Sequence, residues 1–96
     1  MRKDVVVAYD ISDDKRLRQV FKIMRGYGDH LQYSVFRCAL SAQERVRLLT
    51  ALDKVINHQE DQVMFIDLGP SDGTSQARFS TLGRPLTHPR RHAVIV

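Results

Sequence analysis

Val5 to Ile11 is a run of β-branched and aromatic residues that reads as a strand. Alternation puts Val5, Val7, Tyr9 and Ile11 on one face and Val6, Ala8 and Asp10 on the other. The period then changes. Leu17, Val20, Phe21 and Met24 recur at the three- and four-residue steps of one helical face. Ser12 is the expected N-cap of that helix, with Asp13 and Asp14 placed to favour the positive end of its dipole. Gly26 and Gly28 are expected to supply the left-handed positions that end it near Arg25. Alternation returns from His30 to Leu40, where Leu31, Tyr33 and Val35 oppose Gln32, Ser34 and Phe36. That segment is long for one strand, so a bend or split near Ser34 is expected.

Ser41 and Glu44 have capping-box spacing and open a second helix. Its apolar positions are Leu48, Leu49, Leu52, Val55 and Ile56, and Asn57-His58 should close it. Gln62 to Leu68 reads as a third strand, and Gly69 to Ser75 as a loop. Ala77 to Leu82 fits a short strand returning beside the third, after which Pro85 and Pro89 break regular structure. Ala93, Val94, Ile95 and Val96 form a terminal apolar tetrapeptide that should add a strand to a sheet edge, of this chain or of a partner. The order of elements suggests an α+β two-layer sandwich with a mainly antiparallel sheet and both helices on one face. The other sheet face would be bare, and a small domain with such a face is expected to dimerise or to bind something there.

Length allows one domain, taken as residues 1–96 with 84–96 as a C-terminal extension. No apolar run approaches the roughly 18 residues of a membrane span. The apolar stretch that follows the basic N-terminus is interrupted by Asp10, too soon for a signal peptide, and a cytoplasmic location is the default. A single cysteine, Cys38, excludes an internal disulfide framework and reads as a small core residue.

Charge changes the picture through its layout. The net charge is +4. Asp72 is the last acidic residue, so 1–72 is neutral and the excess falls on Arg78, Arg84, Arg90 and Arg91. Within the neutral part, Lys15, Arg18, Lys22 and Arg25 form one stripe along the first helix, which is either a solvated face or a rail for phosphates. Two basic zones would then surround one acidic point, with Asp10 set apart from the stripe.

Catalytic chemistry has few candidates. His30, His58, His88 and His92 lack metal-ligand spacing, and no Gly-rich phosphate loop or nucleophile elbow is present. Asp10 stands out because it ends an apolar strand just before a helix. It could accept hydrogen bonds from the first amides of that helix, or serve as an oxygen ligand for Mg²⁺ in phosphodiester hydrolysis. One carboxylate makes a poor metal site, and two copies facing across a twofold axis would make a better one.

Tyr9-Asp10-Ile11-Ser12-Asp13-Asp14, the Arg-rich helix after it, Gly26-Tyr27-Gly28 and Gln32-Tyr33-Ser34-Val35-Phe36 together resemble the CRISPR-associated Cas-two family over the whole chain. The resemblance implies a ferredoxin-like β-α-β-β-α-β domain that forms a homodimer through its sheets, with the C-terminal strand joining the partner. It implies a part in spacer acquisition beside the Cas-one integrase, and a Mg²⁺-dependent endonuclease acting on single-stranded RNA or double-stranded DNA. A non-catalytic adaptor that clamps duplex DNA and bridges integrase subunits is the alternative. By position, Asp10 is the implied catalytic residue and Mg²⁺ ligand, while Tyr9, Ser12, Arg16, Arg18, Lys22 and Phe36 are the implied nucleic-acid contacts. His30 stands where members often carry Arg, so a phosphate contact there would be weaker or pH-dependent.

Overall fold

Val5 and Val7 have essentially no exposed surface, and the strand that carries them runs through the middle of the sheet. In a computed structural model, which describes residues 1–86, the elements follow in the order β1 (Lys3–Asp10), α1 (Asp14–Arg25), β2 (Gly28–Gln32), β3 (Val35–Leu40), α2 (Ala42–Asp53) and β4 (Gln62–Pro70). A 3₁₀ turn at Thr74–Arg78 comes last. The strand order is β2-β3-β1-β4, with every neighbouring pair antiparallel. This is the ferredoxin-like α+β arrangement. The terminal tetrapeptide, and with it residues 87–96 of the extension, lie outside the described residues.

One face of the sheet is covered. Val5, Val7, Tyr9, Phe36, Cys38 and Leu40 meet Val20 and Met24 of α1 and Leu48 and Leu52 of α2. Each fully buried side chain of this size contributes roughly 1.5–3 kcal/mol. Strand alternation sends Val6, Ala8, Met64 and Ile66 to the opposite face, where Met64 is 49% and Ile66 42% exposed. The bare face expected from the pattern is therefore present among the described residues.

Several local expectations need correction. The α1 cap is Asp13, whose carboxylate accepts from the Arg16 amide at 2.9 Å, because Ser12 is held by Glu60 and Asp61 instead. Gly26 has φ −79°, in the right-handed region, so it supplies no left-handed cap. Gly28 is needed for space, since a side chain there would collide with Cys38 Sγ and the Arg37 carbonyl across the β2–β3 ladder. Helix α2 ends at Asp53, before Asn57-His58, and the Asn57 side chain accepts from the Gln59 amide at 2.9 Å in the turn beyond. The long β segment does split, at Tyr33-Ser34, as expected.

No strand forms over Ala77 to Leu82. Ser75 is drawn into the interior instead, where its hydroxyl donates to Asp4 and lies 2.6 Å from Arg37 Nη2. Ser71 and Arg37 also donate to Asp4, at 2.6 and 2.9 Å. Burial opposes ionisation of Asp4, but these three donors outweigh it and hold its carboxyl below the usual range. Pulling Ser75 inward bends the chain into the 3₁₀ turn, and Phe79 settles 5.2 Å from the Arg37 guanidinium.

Candidate nucleic-acid cleft and the Asp10 carboxylate

Strand β1 delivers Tyr9 inward and Asp10 outward, because successive side chains alternate. Tyr9 is buried and stacks on Phe36 with ring centroids 6.2 Å apart. Burial raises its hydroxyl pKa. Asp10 is exposed, and its carboxylate has no hydrogen-bond or ion-pair partner among the described residues. The N-terminal cap of α1 is Asp13, which accepts from the Arg16 amide, and the Ser12 amide just before the helix donates to Asp61. Capping is therefore not what keeps a carboxylate at the end of this strand.

Asp10 opens onto a cleft of about 890 Å³ that lies along α1. Lys15, Arg18 and Lys22 line it with their exposed side chains, and Phe21 and Tyr33 add aromatic surface. The acidic point is thus not set apart from the basic stripe, because the turn from β1 into α1 brings both to one cleft. Arg25, the last cation of the stripe, lies over the Phe21 ring at 5.7 Å and is not part of the lining.

Two of the expected nucleic-acid contacts are committed elsewhere. Arg16 donates from Nε to Asp61 at 2.8 Å and from Nη2 to Glu60 at 3.2 Å. Asp61 also accepts from the amides of Ser12 at 3.0 Å and Asn57 at 2.8 Å. The Arg16 guanidinium, followed by these amides, holds the Asp61 carboxyl far below the usual carboxylate range, against the cost of burial. Ser12, whose hydroxyl lies 3.2 Å from Asp61, belongs to the same knot. The knot ties the α2–β4 connection to the start of α1 and so fixes the turn that follows Asp10. Asp61 was missed in the sequence because Arg16 and Ser12, the partners that tie it to α1, lie more than forty positions away.

Phe36 has no exposed surface and presents no face to a ligand. His30 lies against Phe21 and Phe36, at 5.1 and 4.9 Å, and its Nε2 is 2.7 Å from the Tyr33 carbonyl. It thus packs under the β2–β3 turn. Of the expected site residues, the cleft brings together Tyr9, Asp10, Arg18 and Lys22. It adds Lys15 and Tyr33, the latter the most exposed aromatic of the site at 92%.

The topology and this cleft define a ferredoxin-like domain in which a carboxylate without a partner among the described residues stands at the head of a row of cations. The sequence model of the family described as CRISPR associated protein Cas2 matches residues 3–74, and the chain belongs to that family. It is 43% identical over 91 residues to the CRISPR-associated endoribonuclease Cas2 1 of Rhodospirillum rubrum, covering 95% of this chain and 88% of that one. It is 38% identical to the CRISPR-associated endoribonuclease Cas2 of Geobacter sulfurreducens, with 95% of each chain covered. The crystal structure of Streptococcus pyogenes Cas2 superposes with a TM-score of 0.74 at 35% identity, over 83% of this chain and 99% of that one.

Proposed function

We propose that this chain is a Mg²⁺-dependent endonuclease of spacer acquisition, cutting single-stranded RNA or double-stranded DNA. The observation that carries the reading is the Asp10 carboxylate, unpartnered among the described residues, at the mouth of a cleft lined by Lys15, Arg18 and Lys22. Relatives named endoribonucleases support the choice of a nuclease, and RNA as one of its substrates. Exposed cations along a helix hold a phosphate backbone without reading its sequence. Asp10 fits Mg²⁺ as a hard oxygen donor, and Mg²⁺ is commonly held by one or two carboxylates together with water and substrate phosphates. When bound, the ion supplies an activated water and neutralises charge on the phosphodiester. One chain offers one such carboxylate, so the site is completed by Asp10 of a second copy in a homodimer. The dimer uses the bare sheet face around Met64 and Ile66, with 93–96 of each chain joining its partner, and works in the cytoplasm beside the Cas-one integrase.

The exposed cations Lys15, Arg18 and Lys22 also support a second reading. An adaptor that clamps duplex DNA by its phosphates and bridges integrase subunits needs only the cations. Cleavage of labelled RNA and duplex DNA, with Mg²⁺ or with chelator, separates the two when wild type and Asp10→Ala are compared at matched dimer content. The endonuclease reading expects Asp10→Ala to keep the dimer and the binding while losing cleavage. Cleavage that survives the substitution removes Asp10 chemistry, and a wild type that binds duplex without cutting leaves the adaptor.

A further inference from the structure

Tyr33 is an anomaly in both backbone and exposure. Its φ of +37° makes it the one non-glycine residue in the left-handed region among those described. That conformation costs a residue with a Cβ roughly 1–2 kcal/mol, and Asn or Gly usually fills such a turn. Here the turn carries a bulky ring that is 92% exposed. The backbone on either side is tethered. His30 Nε2 lies 2.7 Å from the Tyr33 carbonyl, and the Tyr9 amide donates to the Ser34 carbonyl at 3.1 Å. The ring is thus presented from a fixed turn, at the rim of the cleft that Lys15, Arg18 and Lys22 also line.

An isolated exposed aromatic needs no explanation. A fixed aromatic beside a row of cations is the combination that binds a single strand, with phosphates on the cations and a base face on the ring. A base inside a duplex keeps both faces stacked on its neighbours and offers none to the protein. We infer that Tyr33 is a base-stacking residue of the cleft, which adds affinity for unpaired nucleotides and none for duplex. The inference rests on the cleft being a nucleic-acid site, and its test separates the two claims.

Binding is measured in chelator, to prevent cleavage, with three probes: a short oligoadenylate, an abasic ribose-phosphate chain of the same length, and a blunt duplex. Tyr33→Asn removes the ring while suiting the left-handed backbone, and Tyr33→Phe keeps the ring. Tyr33→Asn should weaken oligoadenylate binding by about 5- to 150-fold, the range of one lost base–aromatic stack. Tyr33→Phe should bind like wild type, and both variants should bind the abasic chain and the duplex as wild type does. Equal oligoadenylate affinity for wild type and Tyr33→Asn overturns the stacking role, as does an equal loss on the abasic chain. A wild type that binds none of the probes overturns the cleft reading, and the role of Tyr33 falls with it.

Discussion

Replacing Lys15, Arg18 and Lys22 together with alanine removes the cations that line the cleft and leaves Arg16 in place. All three side chains are exposed, so the fold should tolerate the change within about 0.5 kcal/mol per site. If each cation neutralises one phosphate, counterion release fixes the size of the effect. The slope of log affinity against log salt should become shallower by about 2 for a single strand and by about 2.7 for duplex DNA. Between 50 and 200 mM salt, wild type should therefore lose about 16-fold more single-strand affinity than the triple variant. Fluorescence anisotropy over a salt series, in chelator, reads both slopes. Arg16→Ala is the informative contrast. Its guanidinium is bound to Asp61 and Glu60, so that variant should melt at a lower temperature yet keep the wild-type slope. A triple variant with the wild-type slope refutes the phosphate rail. An Arg16→Ala variant whose slope drops as far as that of Arg18→Ala refutes the division between bonded and free cations.

The same knot gives a pH dependence with a definite sign. Asp61 and Glu44 both titrate below their ordinary range when folded, Glu44 at about 2 because Arg2 and then the Ser41 amide bond to it. A depressed folded pKa contributes stability that is complete above the unfolded value and is lost as pH falls through the folded one. The melting midpoint should therefore hold above about pH 5 and fall steadily below about pH 4, and Asp61→Asn should flatten the part of that fall due to Asp61. A midpoint that rises on acidification contradicts both assignments. Gly28→Ala should cost about 1–3 kcal/mol and lower the midpoint by at least about 4 °C, because its new methyl meets backbone as well as Cys38. Gly26→Ala, at an ordinary right-handed φ, should stay within about 1 kcal/mol of wild type, and equal effects at the two glycines would refute the steric argument.

What the sequence made legible follows the range of the interactions involved. Both helices and the capping box at Ser41 and Glu44 rest on contacts within a few positions, and the strands, though their ladders are long-range, show themselves through a local two-residue alternation. The errors cluster where a distant partner outbids a local preference. Ser12 is a good cap by type, yet Glu60 and Asp61 claim it from 48 and 49 positions away and the cap passes to Asp13. Ala77 to Leu82 has a strand-like pattern, yet Ser75 is pulled 71 positions back to Asp4 and the chain turns instead. Gly28 looked like a helix terminator and is a spacing device between strands, a role visible only once Cys38 stands across from it.

The candidate site shows the same boundary from the functional side. Spacing along α1 placed Lys15, Arg18 and Lys22 on one stripe, and Asp10 was singled out by its position at the end of an apolar strand. Neither signal says that the two meet, because the β1–α1 turn that joins them is set by Asp61, on the far side of α2. Arg16 shows why a count of cations is a weak guide to nucleic-acid binding. It lies between Lys15 and Arg18 in sequence, yet the helical rotation of about 100° per residue turns it away from the stripe and into a buried carboxylate. Arrangement, not net charge, decides which cations remain available to a phosphate, and the neutral segment 1–72 holds a cleft richer in cations than in acids because carboxylates such as Asp61, Glu60 and Asp4 are spent on knots elsewhere while Lys15, Arg18 and Lys22 stay in water beside Asp10.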